Sequence, residues 1–383
     1  MSDQWLRWKN LRNTNHNKIG INIRSTVTVF IFSLLVVSLL FGLAIIVNGQ
    51  STVVTSVITN TVPDNEPVTT DVVIEHLPLN SNRTTMLAIG DVMLGRHVET
   101  LMNRHGASYP FAGVANLLKS VDSVIANLEG PIVENHRQTA DYTMRFNFDK
   151  DIAPILKDNN IDIVTLANNH TFDFGPVAFA NTQEELAKAK VTAFGHPREV
   201  GREYVETVDI NNQQFRFFGL TSAVWPAFKE DQAIKLVKEL SDEAIDIINI
   251  HWGNEYQSVS NTRQQSLAHR LADSGADIII GHHPHVLQEI EKYKDTVIFY
   301  SLGNFIFDQY FSSQTQETIA LKISLSENYN VIQIIPIEIN NSQPIVMNEQ
   351  AAHELLARLA VSSSLNVYQQ VNDGTIDFNY SSL

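Results

Sequence analysis

The sequence A-D-I-I-I-G-H-H-P-H, residues 276–285, joins a short apolar run to a group of histidines. The unbroken run at 277–280, bounded by Gly281, is typical of a strand buried on both faces of a parallel sheet. Three histidines follow the end of this run: His282, His283 and His285. Ligand sites of open α/β sheets lie beyond the carboxyl ends of their strands, and neutral imidazole is the commonest metal ligand. The stretch therefore predicts an α/β fold with a metal site at one edge of its sheet.

The same pattern recurs through residues 86–305, where five more apolar runs end in polar side chains that can bind metal or transfer protons. These side chains are Asp91, Glu129, Asn169, His170, His251 and Asn304. Segments with helical periodicity separate several runs, at 111–120, 176–190 and 262–274. Alternating strands and helices imply right-handed crossovers and a mainly parallel sheet. We therefore expect the polar side chains to lie together at the edge of the sheet where the strands end, which we call the rim.

Other segments predict structure beyond this parallel sheet. Two pairs of runs have antiparallel character, 204–210 with 213–220 and 318–325 with 331–339, each around an Asn-containing turn. They suggest a second sheet packed on the first. Residues 349–359 predict a last helix, and residues 363–383 are expected to form a polar, loosely held tail.

The candidate metal ligands offer nitrogen and oxygen but no sulfur, because the chain has no cysteine. This excludes cysteine-type structural zinc, catalytic thiols and disulfides. The metal ligands are predicted to come from Asp91, Glu129, Asn169, His251, His282, His283 and His285. A set so rich in imidazole suits manganese, iron or zinc. With more than four candidates, the site could hold one ion, or two ions that share a carboxylate.

Four residues near these positions are candidates for catalysis: Arg96, His170, His251 and Glu255. Glu255, four residues past His251, could orient that ring or act as a general acid or base. Arg96 could hold a phosphate or carboxylate with both arms of its guanidinium, and a surface salt bridge is the alternative. Asp173 could orient His170, and Asn304 is assigned a similar supporting role.

Composition and charge limit the class of protein. The chain has 383 residues, 44% of them hydrophobic, which is enough for one large domain or two smaller ones with real cores. The formal net charge of −15 argues against a general nucleic-acid binder, which needs basic surface to neutralise phosphates. Phosphate-binding loops (GxxxxGK[ST]), dinucleotide fingerprints (GxGxxG) and the serine-hydrolase elbow (GxSxG) are absent from the sequence.

The amino-terminal part predicts a location. Residues 25–47, STVTVFIFSLLVVSLLFGLAIIV, carry no charge and exceed the roughly 20 apolar residues that a membrane-spanning helix needs. Basic residues predominate before this run, so residues 1–24 are expected in the cytoplasm and the rest of the chain outside. A cleaved signal peptide is the alternative to this uncleaved anchor. Residues 48–82 predict an extended linker, and residues 83–362 the main domain.

Six motifs together resemble the capsule synthesis protein CapA family. They are GDVMLGR (90–96), NLEGPI (127–132), LANNHTFDFG (166–175), HWGNEY (251–256), GHHPHVLQ (281–288) and SLGNF (301–305), in that order. The resemblance covers roughly residues 86–359. It implies a four-layer α/β/β/α sandwich like that of calcineurin-like metallophosphoesterases, and a role in making or handling poly-γ-glutamate capsule.

The resemblance to metallophosphoesterases also implies ligands. Asp91 keeps the first aspartate, but Met93 stands where that superfamily has a histidine, so one ligand is missing. Glu129 replaces the aspartate of the second motif, whereas Asn169-His170 and His251 are kept. The last motif has one residue too many, which leaves two alternatives: His282 with His285, or His283 with His285.

These observations predict a membrane-anchored protein with a metal-dependent extracytoplasmic domain that acts in synthesis, export or attachment of an anionic polymer such as poly-γ-glutamate. Its expected partners are this polymer and other membrane subunits of capsule synthesis. Two alternatives remain. One is a stand-alone metal-dependent phosphoesterase acting on a cell-envelope substrate, and the other is a non-enzymatic, polymer-binding subunit of a membrane complex.

Overall fold

A computed structural model describes residues 83–223, 229–241, 243–326 and 329–378. The predicted basic segment, anchor and linker lie outside the described residues. Within the part of the chain that is described, no helix has the length and apolar character needed to cross a membrane.

The described chain alternates strands and helices along most of its length. The strands are β1 (Thr84–Val92), β2 (Ser123–Leu128), β3 (Ile161–Thr165), β4 (Thr192–Phe194), β5 (Val205–Ile210), β6 (Gln213–Thr221), β7 (Ile245–His251), β8 (Ile278–His282), β9 (Ile290–Tyr293), β10 (Thr296–Phe299), β11 (Asn304–Ile306), β12 (Glu317–Leu325), β13 (Asn330–Asn340), β14 (Gln343–Val346) and β15 (Thr375–Asp377). The helices are α1 (Arg96–His105), α2 (Ala115–Leu118), α3 (Ile152–Asp158), α4 (Gly175–Lys188), α5 (Glu230–Leu240), α6 (Thr262–Ala272), α7 (Glu349–Ser362) and α8 (Tyr368–Asn372). Short 3₁₀ turns lie at Tyr109–Val114, Arg202–Tyr204 and Gln314–Gln316.

The strands form two sheets. The first has the order β14-β13-β12-β1-β2-β3-β4, with β11 beside β1 and β15 beside β13, and its strands β1 to β4 are parallel. The second has the order β5-β6-β7-β8-β10-β9, with parallel strands β6, β7, β8 and β10 at its centre. The mixed α/β class predicted from the sequence is therefore confirmed.

Membership of the sheets differs from the prediction. The two antiparallel pairs are present, but β5 and β6 belong to the second sheet whereas β12 and β13 belong to the first. The parallel strands are likewise divided between the sheets. Alternation of strand and helix predicts parallel pairing, but it does not indicate which of two sheets a strand joins.

Successive side chains of the strands face two different cores. In β1, Met86 and Ala88 join the core between the sheets, whereas Leu87 and Ile89 pack beneath helices α1, α3 and α4. In β8, Ile278 and Ile280 face the first sheet, while Ile279 packs beneath α5 and α6. Because both faces of these strands are covered, their sequences are continuously apolar. The result is four layers, helix, sheet, sheet and helix.

The glycine in GHHPH has a packing role. The strand β8 does not stop at Gly281, as the sequence suggested, but continues through it to His282, which pairs with His251 of β7. A Cβ atom on Gly281 would lie 1.9 Å from the carbonyl oxygen of Tyr300 and 2.6 Å from Nε1 of Trp252. Glycine is therefore required by the close approach of the neighbouring chain.

The prediction of a loose tail from residue 363 is wrong for residues 363–378. Helix α8 lies in this segment, and β15 pairs with β13. Four apolar side chains of the segment enter the core between the sheets: Val367, Val371, Ile376 and Phe378. These residues are separated by polar ones, so no single window of the sequence appeared apolar enough to predict burial.

Candidate metal centre

The predicted rim exists, because strands of both sheets end at the same edge. Asp91 lies on β1, Glu129 directly follows β2, and Asn169 and His170 follow β3. His251 and His282 are the last residues of β7 and β8. The structure thus brings residues far apart in sequence into one buried cluster.

Asp91 holds the two sheets together at this edge. Its Oδ1 accepts a hydrogen bond from Nδ2 of Asn127 at 2.8 Å and lies 3.1 Å from Nδ1 of His282. Its Oδ2 lies 3.3 Å from Nδ1 of His285 and accepts from the backbone N–H of His283 at 3.4 Å. Burial alone would raise the pKa of Asp91, but hydrogen bonds from His282 and His285 outweigh it and hold the pKa well below its ordinary value. Asp91 is therefore a carboxylate.

Glu129 is completely buried, yet neither of its carboxylate oxygens has a hydrogen-bond partner among the described residues. Its Oε1 lies 3.8 Å from Nε2 of His285 and 3.9 Å from Nε2 of His170. Burial, followed by the charge of Asp91, raises the pKa of Glu129 well above its ordinary value. A buried carboxylate without partners is costly, so this position suits a side chain that a cation completes.

His251 lies within reach of both carboxylates. Its Nε2 is 2.6 Å from Oδ1 of Asn169, and its Nδ1 is 3.4 Å from Nδ2 of Asn127. Burial and then the neighbouring His283 lower the pKa of His251 well below its ordinary value, so the ring is neutral. Asp91, Glu129 and His251 each offer one ligand atom, and these atoms lie within 4.8 Å of one another.

A second group consists of Glu255, His283 and His285, whose ligand atoms also lie within 4.8 Å of one another. Glu255 therefore lies with these two histidines, and the predicted contact with the ring of His251 is not found among the described hydrogen bonds. His283 and His285 have φ angles of 95° and 57°, which non-glycine residues rarely adopt. Such backbone conformations are concentrated at functional sites, where the surrounding structure maintains them.

The two histidines of this second group differ in pKa. Burial, with the neighbouring His285, lowers the pKa of His283 to about 3. Burial would also lower the pKa of His285, but Glu129 and Asp91 raise it to about 9. Nδ1 of His283 is buried and has no hydrogen-bond partner among the described residues. His283 is thus a neutral imidazole with a free nitrogen, as metal binding requires.

His282 has a different environment from its two neighbours. Its Nδ1 faces Asp91, and its Nε2 lies 3.4 Å from Oδ1 of Asn249. Both ring nitrogens therefore face protein oxygens. Of the two alternatives left by the sequence, this geometry favours His283 with His285 as the ligand pair.

Asp173 contacts the ring of His170, which it was expected to orient, and Asn304, which was assigned a supporting role without a named partner, contacts the ring of His285. Oδ2 of Asp173 lies 2.8 Å from Nδ1 of His170 and accepts from the backbone N–H of Phe146 at 2.7 Å. Oδ1 of Asn304 lies 3.0 Å from Nδ1 of His285, while its Nδ2 donates to the carbonyl oxygen of Thr315. In both rings Nδ1 is held, and Nε2 is left facing Glu129.

Arg96 does not fit the prediction of a free anion contact. Its guanidinium forms a buried ion pair with Asp308 through Nη2 and Nε, and its Nη1 donates to the carbonyl oxygen of Thr143 at 3.0 Å. Nor is this the surface salt bridge that was the alternative, because both side chains are almost inaccessible. Asp308 lies 212 residues away, so spacing from Asp91 could not indicate this partner.

Sequence reasoning missed Asn127. This residue bonds to Asp91, lies against His251, and accepts at Oδ1 from Nδ2 of Asn168 at 3.0 Å. Asn168 in turn accepts from the backbone N–H groups of His170 and Thr171. A signal was available, since Asn127 interrupts the apolar run of β2 two residues before Glu129.

The donor set fits a divalent metal ion. It consists of the carboxylates of Glu129 and Asp91, Nδ1 of His283 and the neutral ring of His251; among the described residues, neither the Glu129 oxygens nor Nδ1 of His283 has a hydrogen-bond partner. Met93 does not contribute a metal ligand, because its side chain is buried in the core on the helix side of the first sheet. The mixture of nitrogen and oxygen agrees with the classes of metal predicted above.

Comparison with known proteins agrees with the ordered motifs. The model of the family described as "Bacterial capsule synthesis protein PGA_cap" matches residues 85–309. The PGA biosynthesis protein CapA of Bacillus subtilis (strain 168) is 32% identical over 310 residues, covering 76% of this chain and 81% of that protein. The capsule biosynthesis protein CapA of Bacillus anthracis is 31% identical over 290 residues, covering 69% of each. Among solved structures, purple acid phosphatase PPD1 of yellow lupin matches with a TM-score of 0.36 and 9% identity, over 70% of this chain and 53% of that one. The chain therefore belongs to the PGA_cap family of bacterial capsule synthesis proteins.

Proposed function

We propose that this capsule synthesis protein is anchored in the cell membrane and uses a divalent metal centre outside the cytoplasm to process an anionic polymer of the poly-γ-glutamate type. Family membership supports the capsule role, and the name of the Bacillus subtilis relative supports the type of polymer. The observation that carries the metal centre is Glu129, a fully buried carboxylate that accepts no hydrogen bond from any described residue and that belongs to one of two neighbouring groups of potential ligands.

In this proposal Glu129 would be the carboxylate available to both of two metal positions. Asp91, Glu129 and His251 would hold one ion, and Glu255, His283 and His285 would hold the other. The 3.8 Å distance between Glu129 and His285 supports such sharing. Manganese, iron or zinc would supply Lewis-acid activation of a substrate group and of water when bound.

The chain itself supplies a means of moving a proton. Asp173 holds Nδ1 of His170, so that Nε2 of the same ring is left to give or take a proton near Glu129. A site that only binds polymer needs no such oriented ring. This pair therefore favours, as second candidate, a metal-dependent phosphoesterase acting on a cell-envelope substrate.

The metal centre can be tested by metal analysis of the purified full-length protein. We expect a bound transition metal, and a sharply lower metal content in His251→Ala and in the double variant His283→Ala with His285→Ala. Chelation should lower the melting temperature of the wild type, because metal stabilises the state that binds it. His269→Ala is the matched control, since His269 lies on α6 and bonds to Glu291. Unchanged metal content in the rim variants would show that the cluster is structural.

Protease accessibility tests the proposed membrane position. In that position the partners would be other membrane subunits of capsule synthesis. The uncharged run at 25–47 with its basic flank supports a cytoplasmic amino terminus. Protease added to intact cells should remove residues 83–383 and leave a protected fragment that carries an amino-terminal tag. Lysed cells, in which the tag is also lost, provide the control. Recovery of the whole protein in the soluble cytosolic fraction would contradict the proposal.

A further inference from the structure

Arg145 is an exposed cation close to the metal centre. It directly precedes Phe146, whose ring stacks on His170 with 3.9 Å between centroids. Nε and Nη2 of Arg145 donate to the backbone carbonyl oxygen of Asp173 at 3.1 and 2.5 Å. The side-chain carboxylate of Asp173 holds His170, so Arg145 and the catalytic candidate share one supporting residue.

The guanidinium of Arg145 is fixed although it is exposed. Besides its two bonds to one carbonyl oxygen, its Cζ lies 4.4 Å above the ring of Phe174. Among the described residues, no acidic side chain lies within ion-pair distance of Arg145. A planar cation held in this way keeps donors available for a ligand and loses less entropy when it binds one.

The segment that carries Arg145 also has exposed apolar side chains. Tyr142 and Met144 are 89% and 61% exposed. The segment is tied to the start of helix α1 by Arg96, whose Nη1 donates to the carbonyl oxygen of Thr143 and whose own carbonyl oxygen accepts from Nε2 of Gln138 at 2.8 Å. Arg96, which the sequence suggested as the anion contact, thus positions the segment on which a different arginine is exposed.

We propose that Arg145 binds a carboxylate of the polymer on the His170 side of the metal centre, with Tyr142 and Met144 beside the aliphatic part of the chain. This inference rests on the proposed function. The protein carries a formal net charge of −15. A polyanion that approaches this site needs a local cation to offset the repulsion. Arg145 supplies one that no described acidic side chain neutralises.

The test is binding of poly-γ-glutamate of defined length to the purified full-length protein at low ionic strength. Arg145→Gln should raise Kd about tenfold, a size typical of losing one charge-assisted contact. It should also weaken the dependence of Kd on salt concentration. Arg104→Gln is the matched control, because Arg104 is exposed in the last turn of α1 and its loss changes the net charge equally. Metal content should be the same in all three proteins.

Several results would overturn this inference. Equal weakening by Arg145→Gln and Arg104→Gln would show an effect of overall charge, and loss of metal from Arg145→Gln would show a structural role. Weakened binding of inorganic phosphate with unchanged binding of polymer would assign Arg145 to a phosphate instead. Wild-type protein that contains metal but does not bind the polymer would reject both this inference and the polymer named in the proposed function. Wild-type binding that Arg145→Gln leaves unchanged would reject the inference alone.

Discussion

Replacing Glu129 by glutamine is expected to abolish capsule polymer at the cell surface while leaving the metal-free protein at least as stable as the wild type. Most substitutions in a core reduce stability, because the native side chain makes contacts that the new one lacks. Glu129 is different, since its buried oxygens bond to no described residue. Glutamine has nearly the same volume and resembles the protonated acid, so repacking should change the free energy of unfolding by less than about 1.5 kcal/mol.

The pH dependence of stability indicates at which pH the metal-free Glu129→Gln variant should be more stable than the wild type. Burial and the charge of Asp91 raise the pKa of Glu129 well above its ordinary value of 4.5 in the metal-free protein. A raised pKa means that the folded state holds the proton more tightly than the unfolded chain does. The resulting stabilisation is complete below about 4.5 and is lost as pH rises through the folded-state pKa. Near neutral pH, Glu129→Gln should therefore be equal to or more stable than the metal-free wild type, and the difference should disappear in acid.

Capsule synthesis, unlike stability, should be lost in Glu129→Gln. Removing a residue that only orients a metal ligand typically lowers metal affinity or activity about 10–100-fold. Removing a ligand itself should therefore lower the activity by more than about 100-fold. The measurements are metal content, melting temperature in chelator, and surface polymer in a deletion strain expressing equal amounts of protein. Glu338→Gln, at an exposed position on β13, controls for the change in charge. Normal polymer with Glu129→Gln would contradict a metal-dependent role for this site.

The sequence predicted the rim well because its signals are local. A buried parallel strand must end in a polar residue, and several such ends with metal-binding side chains predict one edge of a sheet. Asp91, Glu129, His251 and the histidines after β8 were all found in this way, and the structure brings them together. Asp173 was found because it follows His170 by three residues, whereas Asn304 was found as the end of another apolar run and its contact with His285 was not predicted.

Long-range pairing was not accessible to the same reasoning. Nothing near Arg96 in the sequence indicates Asp308, and nothing near Glu255 indicates that it lies beside His283 and not His251. The assignment of strands to one sheet or the other depends on contacts across the core. The burial of residues 363–378 depends in the same way on β13, with which β15 pairs. These features are decided by tertiary contacts, which periodicity does not record.

Replacing Asp91 by alanine should have a different effect from the change at Glu129, although both residues are buried carboxylates in one group. Asp91 accepts from Asn127 and the backbone of His283, and it faces the rings of His282 and His285. Removing it leaves these buried groups without a partner. Breaking a buried ion pair by removing one side typically costs about 3–5 kcal/mol, so we expect a loss of this order in the metal-free protein.

The pH dependence of the Asp91 contribution is also opposite to that of Glu129. Hydrogen bonds from His282 and His285 hold the pKa of Asp91 well below its ordinary value of 3.8. Its stabilisation is therefore present above about 3.8 and is lost only as pH falls through the lower, folded-state value. In urea unfolding with chelator present, Asp91→Ala should be much less stable than the wild type near neutral pH, and the gap should narrow in strong acid.

The comparison of these two variants separates two roles within one cluster. Both should lack capsule polymer and bound metal, but only Asp91→Ala should destabilise the metal-free fold, because Asp91 accepts hydrogen bonds from the protein whereas Glu129 accepts none from the described residues. Asp91→Asn, which keeps the volume and one acceptor oxygen, should lose less stability than Asp91→Ala and just as much metal. If Asp91→Ala proved as stable in chelator as Glu129→Gln, the contacts from the histidines would not hold the two sheets at this edge. The rim would then have to be organised by the metal itself.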